Sequence, residues 1–242
     1  MNDTHILLTG SSRGIGAAIA DAVDGPGVRL VGHATHAVGQ CGGRDRIAAD
    51  FAKKGAATQL WDAALAALDG RVDVLINNAG VFEPAPIDAD HDDWLEQWER
   101  TMRINLTASA ELCRLAVRHW QHEGRAGRIV NVASRAAYRG DSPAHWHYAA
   151  SKAGMVGMTK TIARGYAGQG ILAFAVCPGF TMTGMAEEYL ASRGGEGLLA
   201  DIPLGRVALP AEIAKTVRFC ALEAPESMTG AVLDVNGASY VR

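Results

Sequence analysis

The sequence predicts an α/β fold, a doubly wound sheet of seven parallel strands with helices on both faces, in one domain spanning 1–242. Three observations predict it. Apolar runs such as Val72–Ile76 and Ile171–Val176 lack polar alternation, the pattern of strands buried on both faces of a parallel sheet. Segments between such runs carry apolar residues at helical spacing, as in Leu60, Trp61, Ala64, Leu65 and Leu68 of Ala56–Leu68. A glycine-rich turn, Thr9–Gly16, joins the first apolar run to a helical segment.

The totals exclude several classes. A hydrophobic fraction of 48% is enough for a large core, and a net charge of −3 gives no electrostatic case for nucleic acid or an anionic membrane. Four cysteines (Cys41, Cys113, Cys177, Cys220) have no C-x-x-C spacing, so reduced thiols are expected rather than zinc or a redox pair. No apolar run reaches membrane-spanning length and the N-terminal residues lead directly into a strand, so a cytoplasmic protein is expected.

The first strand, Ile6–Leu8, is followed by Gly10, Ser12, Arg13, Gly14, Ile15 and Gly16, then by a helical run, Ala17–Val23. Glycines there let backbone approach a pyrophosphate, and the helix N-terminus offers free N–H groups and a positive dipole end. The spacing is Gly-x-x-x-Gly-x-Gly, and a tight βα turn is the competing reading. A second strand within Gly27–Gly32 should end near an adenosine ribose. There His33, Ala34, Thr35 and His36 include no acid, and Arg13 is within reach, so NADP(H) is favoured over NAD(H). The crossover 37–43 is too glycine-rich for a helix. Asp50, with Phe51 after it, closes a third strand, Ile47–Asp50, and is read as an adenine contact or a helix N-cap. The fourth strand ends in Asn77, Asn78, Ala79 and Gly80, small and amide residues suited to a binding crevice.

A long helical run, Asp92–Glu123, contains Asn105, which should bend it or bond locally. The fifth strand, Arg128–Ser134, ends in a serine, and Tyr148 follows fourteen residues later. On a helix over Ala149–Tyr166, Tyr148 and Lys152 share a face. An ammonium there favours the phenolate and is expected to draw the phenol down from ~10, making it a proton donor or acceptor at a carbonyl or alcohol oxygen. Without further company, a tyrosine and a lysine sharing one surface helix turn would be the simpler account.

Thr9-Gly10-x-x-x-Gly14-Ile15-Gly16, Asn77-Asn78-Ala79-Gly80, Asn105, Ser134, Tyr148-x-x-x-Lys152 and Pro178-Gly179 together resemble the classical short-chain dehydrogenase/reductases over 9–237, with a Rossmann-type fold implied. The resemblance implies a catalytic set of Ser134, Tyr148 and Lys152 assisted by Asn105. Tyr148 would move the proton, Ser134 would bond the substrate carbonyl, and Lys152 would lower the Tyr148 pKa and hold the nicotinamide ribose. Asn105 would anchor a water linking Lys152 to solvent. It also implies that Asn77, Ala79, Gly80, Pro178, Gly179, Thr181 and Thr183 line the cofactor crevice, and that the chain forms a homotetramer or homodimer. The interval from Ser134 to Tyr148 is about one residue longer than is common in the family, and its His145 and His147 are read as a substrate-pocket wall rather than metal ligands.

Residues 184–202 are expected to form a helical lid. The sequence is similar in general to 3-oxoacyl-[acyl-carrier-protein] reductases, implying an NADPH-dependent reductase of 3-oxoacyl thioesters. An NAD-dependent alcohol or sugar dehydrogenase is the nearest alternative. A non-catalytic NADP(H)-sensing protein is the alternative from another class.

Overall fold

The structure, a computed structural model, describes residues 3–36, 46–183 and 195–242. Seven strands run in the order β3-β2-β1-β4-β5-β6-β7. They are β1 Thr4–Leu8, β2 Val28–Ala34, β3 Arg46–Ala48, β4 Val74–Asn77, β5 Gly127–Val132, β6 Ile171–Pro178 and β7 Val232–Val235. Every adjacent pair is parallel. β1 and β4 are neighbours, with Leu8 opposite Ile76, so the chain winds outward in both directions from that pair and opens a crevice at its carboxyl end.

Successive strand residues point to opposite faces, and the core divides accordingly. Leu7, Leu75 and Ile129 pack with α2 (Ala56–Ala67), α4 (Ala108–Glu123) and the end of α6 (Trp146–Tyr166). Ile6, Leu8, Val74, Ile76, Val130 and Val132 pack on the other face, against α1 (Gly14–Val23) and α8 (Pro210–Arg218). Strands apolar at every position are thereby explained. The remaining helices are α3 (His91–Met102), α5 (Ala136–Arg139) and α7 (Gly195–Ala200). No helix among the described residues is long and apolar enough to cross a membrane.

The long run around Asn105 is two helices joined without a gap by a π-helical turn, Arg103–Thr107. A π-turn inserts a residue into the ladder and turns one side chain inward. Here that side chain is Asn105, which is fully buried. α6 begins at Trp146, ahead of Tyr148, and α5 is a short helix that the sequence reading left out. Asp50 lies beyond β3 and is not a helix cap. Its Oδ1 accepts from the Ala52 N–H at 3.0 Å, while α2 starts after Gly55. Cys113, Cys177 and Cys220 are free and buried. The glycine-rich crossover 37–43, Cys41 and most of the expected lid, 184–194, lie outside the described residues; within the lid range 195–200 is helical.

Candidate active site

The crevice is built first from the β1–α1 turn. Gly10 and Gly14 have φ of 66° and 55°, a region that side chains rarely adopt. A Cβ on Gly10 would meet Ala79 Cα at 2.8 Å, and one on Gly16 would meet the Gly10 carbonyl oxygen at 1.8 Å. Neither position has room for a side chain. α1 starts with no side-chain cap at Arg13 and no acid in its first turn, so its leading N–H groups and dipole are left to an anion. Thr183, beyond β6, reaches the same turn: a Cβ on Gly14 would lie 3.1 Å from its Cγ2. The residues present therefore fit a dinucleotide phosphate group.

Three side chains beside the crevice hold this turn in place, a supporting role that the sequence does not assign to them. Thr9 Oγ1 accepts from the N–H groups of Asn78 and Ala79, at 2.9 and 3.0 Å. Asn78 Nδ2 donates to the carbonyls of Thr9 and Gly10 at 3.2 and 2.9 Å, tying β4 to the glycine turn. His33 lies beneath it. Its Nδ1 accepts from Gly10 N–H at 3.2 Å, which leaves Nε2 to donate to the Ala49 carbonyl at 2.8 Å. Burial lowers its pKa, so it is a neutral support for the turn.

Several expected cofactor contacts take different positions. The Asn77 side chain turns into the core, donating to Asn131 Oδ1 at 2.9 Å and to Cys113 Sγ at 3.3 Å, and so does not line the crevice. Phe51 is buried and stacks on His33 with ring centroids 4.3 Å apart, which turns its ring inward as well. Ala34 is buried at the end of β2, whereas Thr35, Ser12 and Arg13 are exposed there and at the turn. Ile15 and Gly179 are half-buried, Gly80 is exposed, and Thr181 and Pro178 are buried at the end of β6.

Asn105, Ser134, Tyr148 and Lys152 do converge at the carboxyl ends of β4 and β5. Asn105 grips Val81 at both ends, accepting its N–H at 2.8 Å and donating to its carbonyl at 3.0 Å. It also lies 3.3 Å from Ser151 Oγ on α6. Ser134 Oγ accepts from Ala136 N–H at 3.1 Å, and its hydroxyl lies near enough to the Tyr148 phenol to draw the phenol's pKa down. Lys152 is almost fully buried, and its Nζ donates to the Val132 carbonyl at 2.9 Å. A Cβ on Gly80 would lie 3.2 Å from Asn105 Oδ1 and 3.5 Å from Lys152 Nζ, so that glycine leaves the approach to both groups open.

The electrostatics correct one expectation. Tyr148 is half-buried, and burial pushes its pKa up to about 12, with the neighbouring Ser134 hydroxyl acting the other way. Lys152 is pushed down to about 8, again chiefly by burial. In the dry site the cost of holding a charge outweighs the attraction expected between the pair. The ammonium is turned to a backbone carbonyl, with Nζ 5.8 Å from the Tyr148 ring centroid.

Phe82 packs edge-on to Tyr148, centroids 4.8 Å apart, and stacks on His145 at 3.8 Å. These two rings form a wall beside the phenol. His147 is buried behind it, its Nε2 bonded to the Glu83 carbonyl at 3.0 Å. Among the described residues no group of three or more His, Cys, Asp or Glu side chains is arranged to hold a metal ion.

A family model described as enoyl-(acyl carrier protein) reductase matches residues 10–238. Fold, site and match define the class: the chain belongs to the classical short-chain dehydrogenase/reductase family and is an NAD(P)-dependent oxidoreductase acting on a carbonyl or hydroxyl group. Within that family it is similar to 3-oxoacyl-[acyl-carrier-protein] reductase FabG. Identity is 34% to the Haemophilus influenzae protein over 97% of both chains, and 35% to that of Vibrio cholerae over 97% of this chain and 96% of the relative. A crystal structure from Agrobacterium tumefaciens, described as a 2-deoxy-d-gluconate 3-dehydrogenase with bound NADP, superposes with a TM-score of 0.83 at 28% identity. That match covers 99% of this chain and 97% of the other.

Proposed function

We propose that this chain is an NADPH-dependent reductase of 3-oxoacyl thioesters. The observation that carries the reading is the convergence of Asn105, Ser134, Tyr148 and Lys152 at the carboxyl ends of β4 and β5, with Lys152 buried beneath the phenol. A protonated phenol donates to an oxygen that becomes an alkoxide, the proton transfer a reduction requires. Ser134 bonds the carbonyl oxygen and supports its developing charge. Lys152 holds the nicotinamide ribose, and Asn105 fixes the turn at Val81 and anchors a water that relays protons to Lys152. The nicotinamide, when bound, supplies the hydride.

NADPH is preferred in this reading because the end of β2 offers Ala34 and Thr35 and no acid, with Arg13 close by on the glycine turn. Arg13 and Thr35 would hold the 2′-phosphate, and Asp50 would meet the adenine. The solved relative with bound NADP and the FabG relatives support this choice. Gly10, Ser12, Gly14, Ile15 and Gly16 cradle the pyrophosphate, joined by Thr181 and Thr183. Ala79, Gly80, Pro178 and Gly179 line the nicotinamide side. In this reading 1–242 is a single domain, and the working form is a cytoplasmic homotetramer or homodimer.

Titration with NADPH and NADH by nicotinamide fluorescence, followed by turnover of a 3-oxobutyryl thioester, tests the proposal. Tighter NADPH binding with reduction of the thioester is expected. An NADH preference, with turnover of secondary alcohols but not thioesters, would overturn it.

A further inference from the structure

The residue after Ser134 is an arginine, and it is buried. Arg135 leaves the strand end in helical conformation, with its N–H on the Pro178 carbonyl at 2.9 Å, and keeps 9% of its surface exposed. Its guanidinium lies over the Phe180 ring, 5.1 Å from centroid to Cζ, beside the segment that leaves β6. Nη1 is buried and makes no hydrogen bond among the described residues. Asp201 Oδ2 lies 3.6 Å away, too far for one.

Asp201 is itself committed elsewhere. It sits just after α7, bonds Arg139 more closely than Arg135, and has 42% of its side chain exposed. Arg139 also donates to the Ser239 carbonyl at 3.2 Å. Two guanidinium groups thus share one exposed carboxylate, and the deeper of the two has the poorer share. Burial and the neighbouring Arg139 both disfavour charge on Arg135, so an added anion would be stabilised there. A guanidinium presents donors in a fork that matches a carboxylate at two points. An arginine seldom lies so deep without a fully bonded partner, and this one directly follows Ser134 at the carboxyl end of β5.

We infer that Arg135 is a specificity residue that binds a carboxylate carried by the substrate, and that Asp201 is its stand-in counter-ion until substrate displaces it. The inference rests on the reading of Ser134 and Tyr148 as the groups acting on the substrate oxygen. The carboxylate can be carried by the acyl chain of a thioester or by a free oxo acid, and paired substrates separate these sources.

Reduction by NADPH is compared for a 3-oxoacyl thioester ending in a carboxylate, for a free 3-oxo acid, and for the methyl ester of each. Binding of the same four compounds to protein saturated with NADP is measured by calorimetry. The acid of at least one pair should be favoured over its ester, and the favoured pair identifies the source. Arg135→Gln should lower kcat/KM for that acid by roughly 10- to 100-fold, mainly through KM, and leave its ester within about two-fold. Arg135→Lys should recover part of the loss, and Asp201→Asn should tighten binding of the acid. Equal binding of acid and ester in both pairs by the wild-type protein would overturn the inference. So would an Arg135→Gln variant in which acid and ester weaken together, since that is the signature of a merely structural arginine. Arg135-dependent binding of the acid with no turnover of any compound would sink the reductase reading and leave the carboxylate site standing.

Discussion

Replacing Lys152 with methionine should make the ligand-free protein more stable while abolishing turnover. The buried ammonium is pushed from 10.5 down to about 8 by desolvation. At ~1.4 kcal/mol per unit, that shift corresponds to about 3 kcal/mol of folding stability forgone wherever both states carry the proton. Methionine fills similar volume without the charge but removes the 2.9 Å bond to the Val132 carbonyl, a loss of ~1–2 kcal/mol. The net expectation near pH 7 is a gain of ~1–2 kcal/mol, or roughly 3–6 °C in Tm for a chain of this size. The sign follows from linkage. Between about 8 and 10.5 the unfolded chain keeps a proton that the folded lysine has released, so the Lys152 contribution to stability rises with pH across that window. The buried thiols act in the opposite sense in wild type and variant alike and cancel in the difference. The variant lacks the Lys152 contribution, and its advantage should narrow by ~1 kcal/mol at pH 9. That pH stays below the range in which Tyr148, held up to about 12, acts in the opposite sense. Thermal unfolding followed by circular dichroism at pH 7 and pH 9, without cofactor, measures both quantities. A variant less stable than wild type at pH 7, or a gap that does not change with pH, would refute the desolvation argument.

Three further outcomes follow from packing and hydrogen bonding. Gly16→Ala should abolish NADPH binding in the fluorescence titration and destabilise the fold by ~1–3 kcal/mol, because the new Cβ would lie 1.8 Å from the Gly10 carbonyl oxygen and 2.6 Å from Asn78 Nδ2. Trp120→Phe should cost ~1–3 kcal/mol in urea unfolding, since it leaves the buried Val72 carbonyl without its 2.6 Å indole donor. Gln121→Ala, one residue on and in an exposed bond to Gln169, should stay within ~0.5 kcal/mol.

The sheet was legible because strands such as Val74–Asn77 and Ile171–Pro178 are buried at every position, and unbroken apolar runs betray that arrangement. Tyr148 and Lys152 were legible as a pair because helical spacing alone puts them on one side. Their mutual electrostatics were not, since sign and size depend on how deeply tertiary packing buries each group. Asn77 and Asn78 were indistinguishable for a related reason. Adjacent strand-end residues face opposite ways, and only the register of β4 decides which amide meets the core and which meets the glycine turn. From sequence, His33 stands at a strand end near the adenosine ribose. Burial against Phe51 makes it a neutral prop, a role that requires knowing which face of β2 it occupies. Arg135 carried no sequence signal, because its burial arises from contact with Phe180 and Asp201, both distant in sequence.

The rotation of α6 is set from its core side at two polar points. Asn105 reaches Ser151 at 3.3 Å, and Asn131 donates to Thr159 at 2.8 Å, two turns further along. Turning the helix by one residue would break both bonds and leave the buried Asn131 Nδ2 without its acceptor, so the orientation of Tyr148 and Lys152 is held from the core as well as from the loop that precedes them. That loop, 140–145, is consequently free to lengthen, shorten or change composition while the proton-handling pair stays in register. A lineage built on such a helix can explore new substrates by trading loops, with its chemistry clamped from below.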